Sequence, residues 1–79
     1  MSLTEEDLLK YLRDNQYVDT DGIDRSTLIF SSGIIDSFAL IELMTFIEDR
    51  TGVAVEAADI TLENLDSIER ILSFVERSQ

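Results

Sequence analysis

Residues 33–52 have the sequence GIIDSFALIELMTFIEDRTG, and this stretch decides the fold. Asp36 is a good helix N-cap, because its carboxylate can accept hydrogen bonds from backbone N–H groups that a first helical turn leaves unpaired. Gly52 suits the end of a helix, where a left-handed residue is often required and glycine adopts that conformation at little cost. No glycine or proline lies between these two residues. The pattern therefore predicts a helix that begins at Ser37 and ends at Gly52.

One face of this helix carries a serine together with two large apolar residues. At a spacing of about 100° per residue, Ser37 shares its face with Phe38 and Ile41, and acidic residues surround them. An apolar patch with a charged rim is typical of a docking surface. The alternative is that Phe38 and Ile41 pack under a loop. The residues predicted to contact partners are Phe38, Ile41, Glu42, Thr45, Glu48 and Asp49.

The opposite face of the helix predicts part of a hydrophobic core. Its apolar residues recur at intervals of three and four, as the buried side of an amphipathic helix requires. Ala39 and Phe46 lie at the edges of this face. The predicted core residues are Leu40, Leu43, Met44 and Ile47.

Composition limits the chemistry that the chain can perform. Its 79 residues predict a single domain with a small core. Without cysteine or histidine, it lacks the thiolate ligand and the commonest general base and metal ligand. We therefore predict no catalytic residue, no metal site and no enzyme activity. The net charge of −11 opposes binding to nucleic acid or anionic membranes and favours partners with basic surfaces.

The first third of the chain predicts a helix and a long loop. Residues 3–15 are amphipathic, and Thr4 is a good N-cap with three acids after it. Residues 16–32 lose the helical period, and the acidic stretch at 19–24 resembles a calcium loop only in part, because it lacks the closing glutamate. A solvated loop is the better interpretation. The predicted apolar anchors of the loop are Ile23, Leu28, Ile29 and Phe30.

The last third predicts a connector and two further helices. Residues 53–55 alternate like a strand but have no partner strand, so an extended connector is expected. Asp59 or Thr61 can cap a short helix over 62–65, and Asp66 can cap a last helix that frays from 76 onward. The sequence thus predicts an all-α fold, a small bundle of three main helices plus one short helix. The last helix is expected to bury Ile68, Ile71, Leu72 and Val75, with Phe74 at the edge.

The chain has GIIDSF at 33–38, EL at 42–43 and IE at 47–48. These residues resemble the phosphopantetheine attachment segment of acyl and peptidyl carrier proteins, in which a serine of an Asp-Ser-Leu-type signature receives the arm of coenzyme A. The resemblance implies 4′-phosphopantetheine on Ser37, with Asp36 beside it, and acyl or aminoacyl groups held as thioesters. It also implies an acyl-carrier-protein-like bundle with a long first loop, and residues 1–79 as one carrier domain.

The resemblance also implies a set of partner enzymes. A phosphopantetheinyl transferase would attach the arm, an adenylating ligase or acyltransferase would load it, and acyl- or aminoacyl-accepting enzymes would unload it. Fatty-acid carriers commonly have an acid where Ala39 stands and a leucine where Phe38 stands. These departures favour secondary-metabolite, non-ribosomal peptide or polyketide biosynthesis. The N-terminus shows no basic segment with an apolar run, and no apolar stretch is long enough to span a membrane, so a cytoplasmic protein is expected. A monomer is also expected.

Two other functions are compatible with parts of the sequence. An unmodified acidic helical adaptor that binds a basic protein would account for the charge, but not for Asp36 and Ser37 at a helix start. A phosphorylation switch at Ser37 would place a phosphate favourably at a helix N-terminus. The surrounding acids make Ser37 a poor substrate for basophilic kinases.

Overall fold

The computed structural model describes residues 3–79 and contains four α-helices joined by a long first loop and a short connector. The all-α prediction of three main helices and one short helix is confirmed, and residues 3–79 contain no strand. A single 3₁₀ turn precedes the short helix and was not predicted. The helices are α1 (Glu5–Asn15), α2 (Ser37–Thr51), α3 (Leu62–Leu65) and α4 (Ile68–Ser78), and the 3₁₀ turn is Ala57–Asp59.

Helix α1 begins at the predicted cap. The Thr4 hydroxyl accepts from the Asp7 N–H at 3.1 Å, and the Asp7 carboxylate accepts from the Thr4 N–H at 3.1 Å. This reciprocal capping box satisfies two N–H groups at the start of the helix. Beyond the other end, Tyr17 adopts a left-handed φ of +57°, and the Val18 N–H donates to the Leu12 carbonyl at 2.9 Å. The chain thereby turns away from α1 into the first loop.

The core lies among α1, α2 and α4, and the predicted inner face of α2 is confirmed. Leu40, Leu43, Met44 and Ile47 are buried, and Phe46 is half-buried at the edge. In α4 the structure reverses one detail, since Phe74 is buried and Leu72 is only half-buried. The eight largest side chains with almost no exposure come from every helix and from the first loop: Leu8, Leu12, Ile29, Leu43, Ile47, Leu65, Ile68 and Ile71.

The first loop enters the core through fewer residues than predicted. Ile29 is completely buried, and Ile23 and Phe30 are half-buried, but Leu28 is 42% exposed. Ile29 takes the core position because its N–H donates to the Asp66 carbonyl at 2.7 Å, which fixes this point of the loop against the start of α4. Leu28 is left on the outer side.

Of the two caps offered for α3, Thr61 is confirmed, whereas the predicted cap of α4 is wrong. Ser67, not Asp66, caps α4, because its hydroxyl accepts from the Arg70 N–H at 3.2 Å. Thr61 caps α3, whereas the Asp59 carboxylate accepts from the Glu56 N–H at 3.0 Å and stabilises the 3₁₀ turn. Helix α4 continues to Ser78 instead of fraying from residue 76. Between residues 3 and 79, no helix has the length and apolar character needed to cross a membrane.

The acidic stretch of the first loop forms turns with its own carboxylates. The Asp19 carboxylate accepts from the Asp21 N–H at 3.0 Å. The Asp24 carboxylate accepts from the backbone N–H and the hydroxyl of Ser26 and from the hydroxyl of Thr27. These hydrogen bonds hold the pKa of Asp24 below its usual value. The two carboxylates therefore stabilise the loop locally.

Candidate functional site: the start of helix α2

Ser37 is the first residue of α2, and its side chain is exposed. Asp36 precedes it in an extended conformation and caps the helix as predicted, since its Oδ1 accepts from the Ala39 N–H at 2.8 Å. That hydrogen bond directs the carboxylate along the helix. The Ser37 hydroxyl is therefore displayed at the tip of α2 without being the capping group.

The backbone on both sides of Ser37 is anchored by buried residues. Ile35, two positions before it, is buried, and its N–H donates to the Ile29 carbonyl at 2.9 Å. Leu40, three positions after it, is also buried and closes the first helical turn through the Asp36 carbonyl at 2.9 Å. An exposed hydroxyl is thus held on a backbone that is fixed at both ends.

A tight turn leads the chain into this site. Gly33 has a φ of +86°, a left-handed conformation that glycine adopts without strain. Its N–H donates to the Phe30 carbonyl at 3.0 Å. The turn reverses the chain between buried Ile29 and buried Ile35, and so brings the start of α2 to the surface.

Five of the six residues predicted to contact partners are exposed. Phe38 is 72% exposed and Ile41 is 59% exposed, so the alternative in which they pack under a loop is wrong. Such large apolar side chains left in water on one helix next to Ser37 are characteristic of an interaction surface. We call this exposed set the α2 outer face. It consists of Phe38, Ile41, Glu42, Thr45 and Asp49.

Glu48, the sixth residue, has a structural contact within the chain. It is half-buried, and its Oε2 accepts from the Val55 N–H at 2.8 Å. This hydrogen bond ties the connector after α2 back onto the helix. One oxygen of Glu48 is therefore already engaged, unlike the exposed carboxylates of Glu42 and Asp49.

Comparison with known proteins finds a family whose members match most of the chain. The family described as "Phosphopantetheine attachment site" matches residues 6–75, which is most of the chain. The chain belongs to this family. It is therefore a non-catalytic carrier protein whose covalent cofactor is 4′-phosphopantetheine, and it works with enzymes that load and accept acyl groups.

A curated relative supports the same assignment. The carrier is 26% identical over 77 residues to a probable acyl carrier protein, PigG, of Serratia sp. (strain ATCC 39006). The alignment covers 95% of the carrier and 87% of PigG. The similarity thus extends over both chains rather than over the serine segment alone.

The start of α2 combines the partial positive charge of a helix N-terminus with the carboxylate of Asp36. The first turn of α2 contains no acidic residue, whereas the first turn of α1 contains Glu5, Glu6 and Asp7. A helix N-terminus carries partial positive charge, which stabilises anions placed there. Asp36 lies directly before Ser37, and its carboxylate, which is hydrogen-bonded to the Ala39 N–H, already uses part of the positive charge of this helix end.

Exposed apolar residues also flank the start of α3, and the sequence pattern did not single them out. Ile60 and Leu62 lie on either side of the cap Thr61 and are 42% and 47% exposed. The available signal was weak, because a four-residue helix is too short to show an amphipathic period. Only the position of Leu65, which is buried, indicates which side of α3 faces the core.

Proposed function

We propose that the Ser37 hydroxyl of this carrier bears the 4′-phosphopantetheine arm. The observation that carries the proposal is an exposed serine at the first position of α2, with its neighbour Asp36 occupied as the cap. Phe38 and Ile41 lie exposed within the next turn, where an enzyme that reaches Ser37 would contact them. The N-terminal end of α2, whose first turn adds no acidic side chain beyond the capping Asp36, attracts a phosphate at this position.

The attachment step needs a partner enzyme. The Ser37 Oγ would attack the phosphorus of coenzyme A that bears the pantetheine, forming a phosphodiester and breaking the diphosphate bond to release adenosine 3′,5′-bisphosphate. The hydroxyl proton must pass to a base on the partner, because the chain has no histidine and the Asp36 carboxylate is engaged by the Ala39 N–H. A phosphopantetheinyl transferase supplies that base and the magnesium ion. Once attached, the arm supplies a thiol that holds acyl or aminoacyl groups as thioesters.

The α2 outer face would bind the transferase and the enzymes that follow it. Phe38 and Ile41 supply an apolar centre, and the carboxylates of Glu42 and Asp49 supply a negative rim. Charged rims of this kind speed encounter, and a small apolar centre keeps each complex short-lived. Glu48 would contribute through its charge, since one of its oxygens is held by the Val55 N–H.

The cargo is proposed to be an acyl or aminoacyl group of secondary-metabolite, non-ribosomal peptide or polyketide biosynthesis. Ala39 and Phe38 make the start of α2 less acidic and more apolar than in fatty-acid carriers, which supports this assignment. An adenylating ligase or an acyltransferase would load the thiol. In this proposal residues 1–79 act as one monomeric carrier domain in the cytoplasm.

Intact-mass analysis tests the attachment. The protein is incubated with coenzyme A, magnesium and a broad-specificity phosphopantetheinyl transferase. We expect a mass gain of one phosphopantetheine in the wild type and in Ser73→Ala, a control at an exposed serine of α4. Ser37→Ala should show no gain. Modification of Ser37→Ala, or an unmodified wild type, would refute the proposal.

A further inference from the structure

Asp66 is a buried acidic residue between α3 and α4, and four hydrogen bonds join it to the first loop. It is 2% exposed. Its backbone carbonyl accepts from the Ile29 N–H at 2.7 Å. Its Oδ1 accepts from the backbone N–H groups of Phe30 and Ser31 at 2.8 and 2.9 Å, and its Oδ2 accepts from the Ser31 hydroxyl at 2.7 Å.

All of these donors belong to one short stretch of chain. Residues 29–31 begin the turn that leads to Ser37, and the turn closes through the Ile35 N–H and the Ile29 carbonyl at 2.9 Å. Asp66 thus holds the base of a loop whose other end lies two residues before Ser37. Loss of the three hydrogen bonds made by the Asp66 side chain would loosen the segment that presents the serine.

Arg70 compensates the buried charge of Asp66 less than these hydrogen bonds do. The Nη1 of Arg70 lies 4.0 Å from the Asp66 Oδ2, at the limit of an ion pair, and the same nitrogen donates to the Leu62 carbonyl at 3.2 Å. A buried carboxylate is costly unless it is hydrogen-bonded, and here the compensation comes chiefly from the loop. The main effect of the carboxylate is therefore to fix that loop.

The geometry points to Asp66 as a positioning residue, which acts through Phe30 and Ser31 to hold the turn that presents Ser37 to the transferase. This inference rests on the proposed attachment at Ser37. Asp66 itself touches neither coenzyme A nor the serine. Its effect is on the fraction of molecules whose loop is ordered for binding, and apparent affinity falls in proportion to that fraction.

Steady-state kinetics of modification test this role. If Asp66→Ala leaves the loop ordered in about one molecule in ten, the KM of the transferase for the carrier should rise about tenfold at unchanged kcat. Asp66→Asn keeps an acceptor for the two backbone N–H groups and should stay within about twofold of the wild type. The matched control is Ile71→Val, a substitution of a buried α4 side chain that destabilises the fold and leaves the hydrogen bonds at Asp66 in place.

Amide hydrogen exchange gives a second readout that does not depend on the transferase. In the unmodified protein, Asp66→Ala should lose protection at Phe30, Ser31, Gly33 and Ile35, while α4 amides near Ile71 keep theirs. If Asp66→Ala does not fold, Ser31→Ala removes one hydrogen bond at an exposed residue and should show the same pattern more weakly.

The outcomes separate the two proposals. An unmodified wild type would refute attachment at Ser37 and the positioning role with it. A wild type that is modified, together with an Asp66→Ala variant whose KM and loop protection match those of Ile71→Val, would overturn the positioning role alone. Equal loss in Asp66→Asn and Asp66→Ala would also overturn it, because the hydrogen-bond acceptor would then be irrelevant.

Discussion

The ring of Tyr11 stacks on the ring of Phe46, with centroids 4.3 Å apart and ring planes inclined by 19°. This pair joins α1 to α2 at the edge of the core. The guanidinium of Arg50 lies 5.5 Å from the centroid of Phe46 and forms an ion pair with Asp7 at 3.1 Å. The contact between these two helices therefore combines an aromatic stack with a charged cover.

Removing one ring of this stack should destabilise the carrier. We expect Phe46→Ala to lower the free energy of unfolding by about 2–3 kcal/mol, through lost burial and lost stacking. Phe38→Ala removes the same side chain from an exposed position of the same helix and should change stability by less than about 0.5 kcal/mol. Urea denaturation measures the free energy of unfolding of both variants. Equal losses of stability in the two would show that Phe38 is packed in solution.

The α2 outer face should matter for binding rather than for folding. Phe38→Ala and Ile41→Ala are each expected to raise the KM of the transferase by about tenfold, equivalent to about 1.4 kcal/mol of lost contact. Tyr17→Ala, at an aromatic residue 88% exposed in the first loop, serves as the control. A similar rise in KM for Tyr17→Ala would mean that any exposed aromatic residue affects binding to the transferase, and that the α2 outer face has no special role.

Acid should weaken the hydrogen bonds of Asp66. Burial alone would raise its pKa, but the hydrogen bonds from Ser31 and Phe30 and the charge of Arg70 hold the pKa of Asp66 below its usual value. A depressed carboxyl pKa contributes stability above the unfolded value of about 3.9 and loses it as pH falls through the folded value. Asp66→Asn should therefore be less stable than the wild type at pH 7.

The difference in stability between the wild type and Asp66→Asn should shrink once the pH drops below about 4. Urea denaturation of both proteins, from neutral pH down to acidic pH, measures this difference in the free energy of unfolding. Taking the difference removes the contributions of Asp7 and Asp24, whose pKa values are also lowered, since both proteins retain those residues. A constant difference down to acidic pH would contradict this account.

Salt should stabilise the carrier by screening its net charge of −11. The screening length falls from about 30 Å at about 0.01 M salt to about 8 Å at about 0.15 M. The longest extent of the molecule is 30 Å, so charges across the whole molecule repel one another at the lower salt concentration but only near neighbours do so at the higher one. We expect a clear rise in Tm across this range. A variant with Asp21→Asn, Glu63→Gln and Glu76→Gln, all exposed, has a net charge of −8 and should respond less. A Tm that does not change with salt would refute the prediction.

Local signals in the sequence were sufficient to predict most of the fold. Thr4, Asp36 and Gly52 mark helix ends through contacts with residues no more than four positions away, so their roles follow from local chemistry alone. The exposed position of Ser37 followed from the same signals. The 3–4 spacing of the inner face of α2 gave the correct core residues because burial follows helical periodicity directly.

Two of the errors occurred where distant residues compete with local ones. Asp66 and Ser67 are adjacent, and both residue types can cap a helix. The Asp66 carboxylate instead accepts from the N–H groups of Phe30 and Ser31, which lie 36 and 35 positions before it in the sequence. Ser67 therefore caps α4. Leu28 was misplaced for a related reason, since the contact of Ile29 with Asp66 sets which side chain of the loop enters the core. A single sequence carries no local signal for such long-range contacts.

The inner and outer sides of α2 differ in how much they contribute to the core. Leu43 and Ile47 on the inner side are almost fully buried, whereas Phe38 and Ile41 on the outer side contribute little to the core. If the α2 outer face binds partner enzymes as proposed, partner choice and folding depend on different residues of one helix. An engineer who seeks mutually orthogonal carriers can randomise positions 38, 41 and 45 and keep a scaffold that still folds.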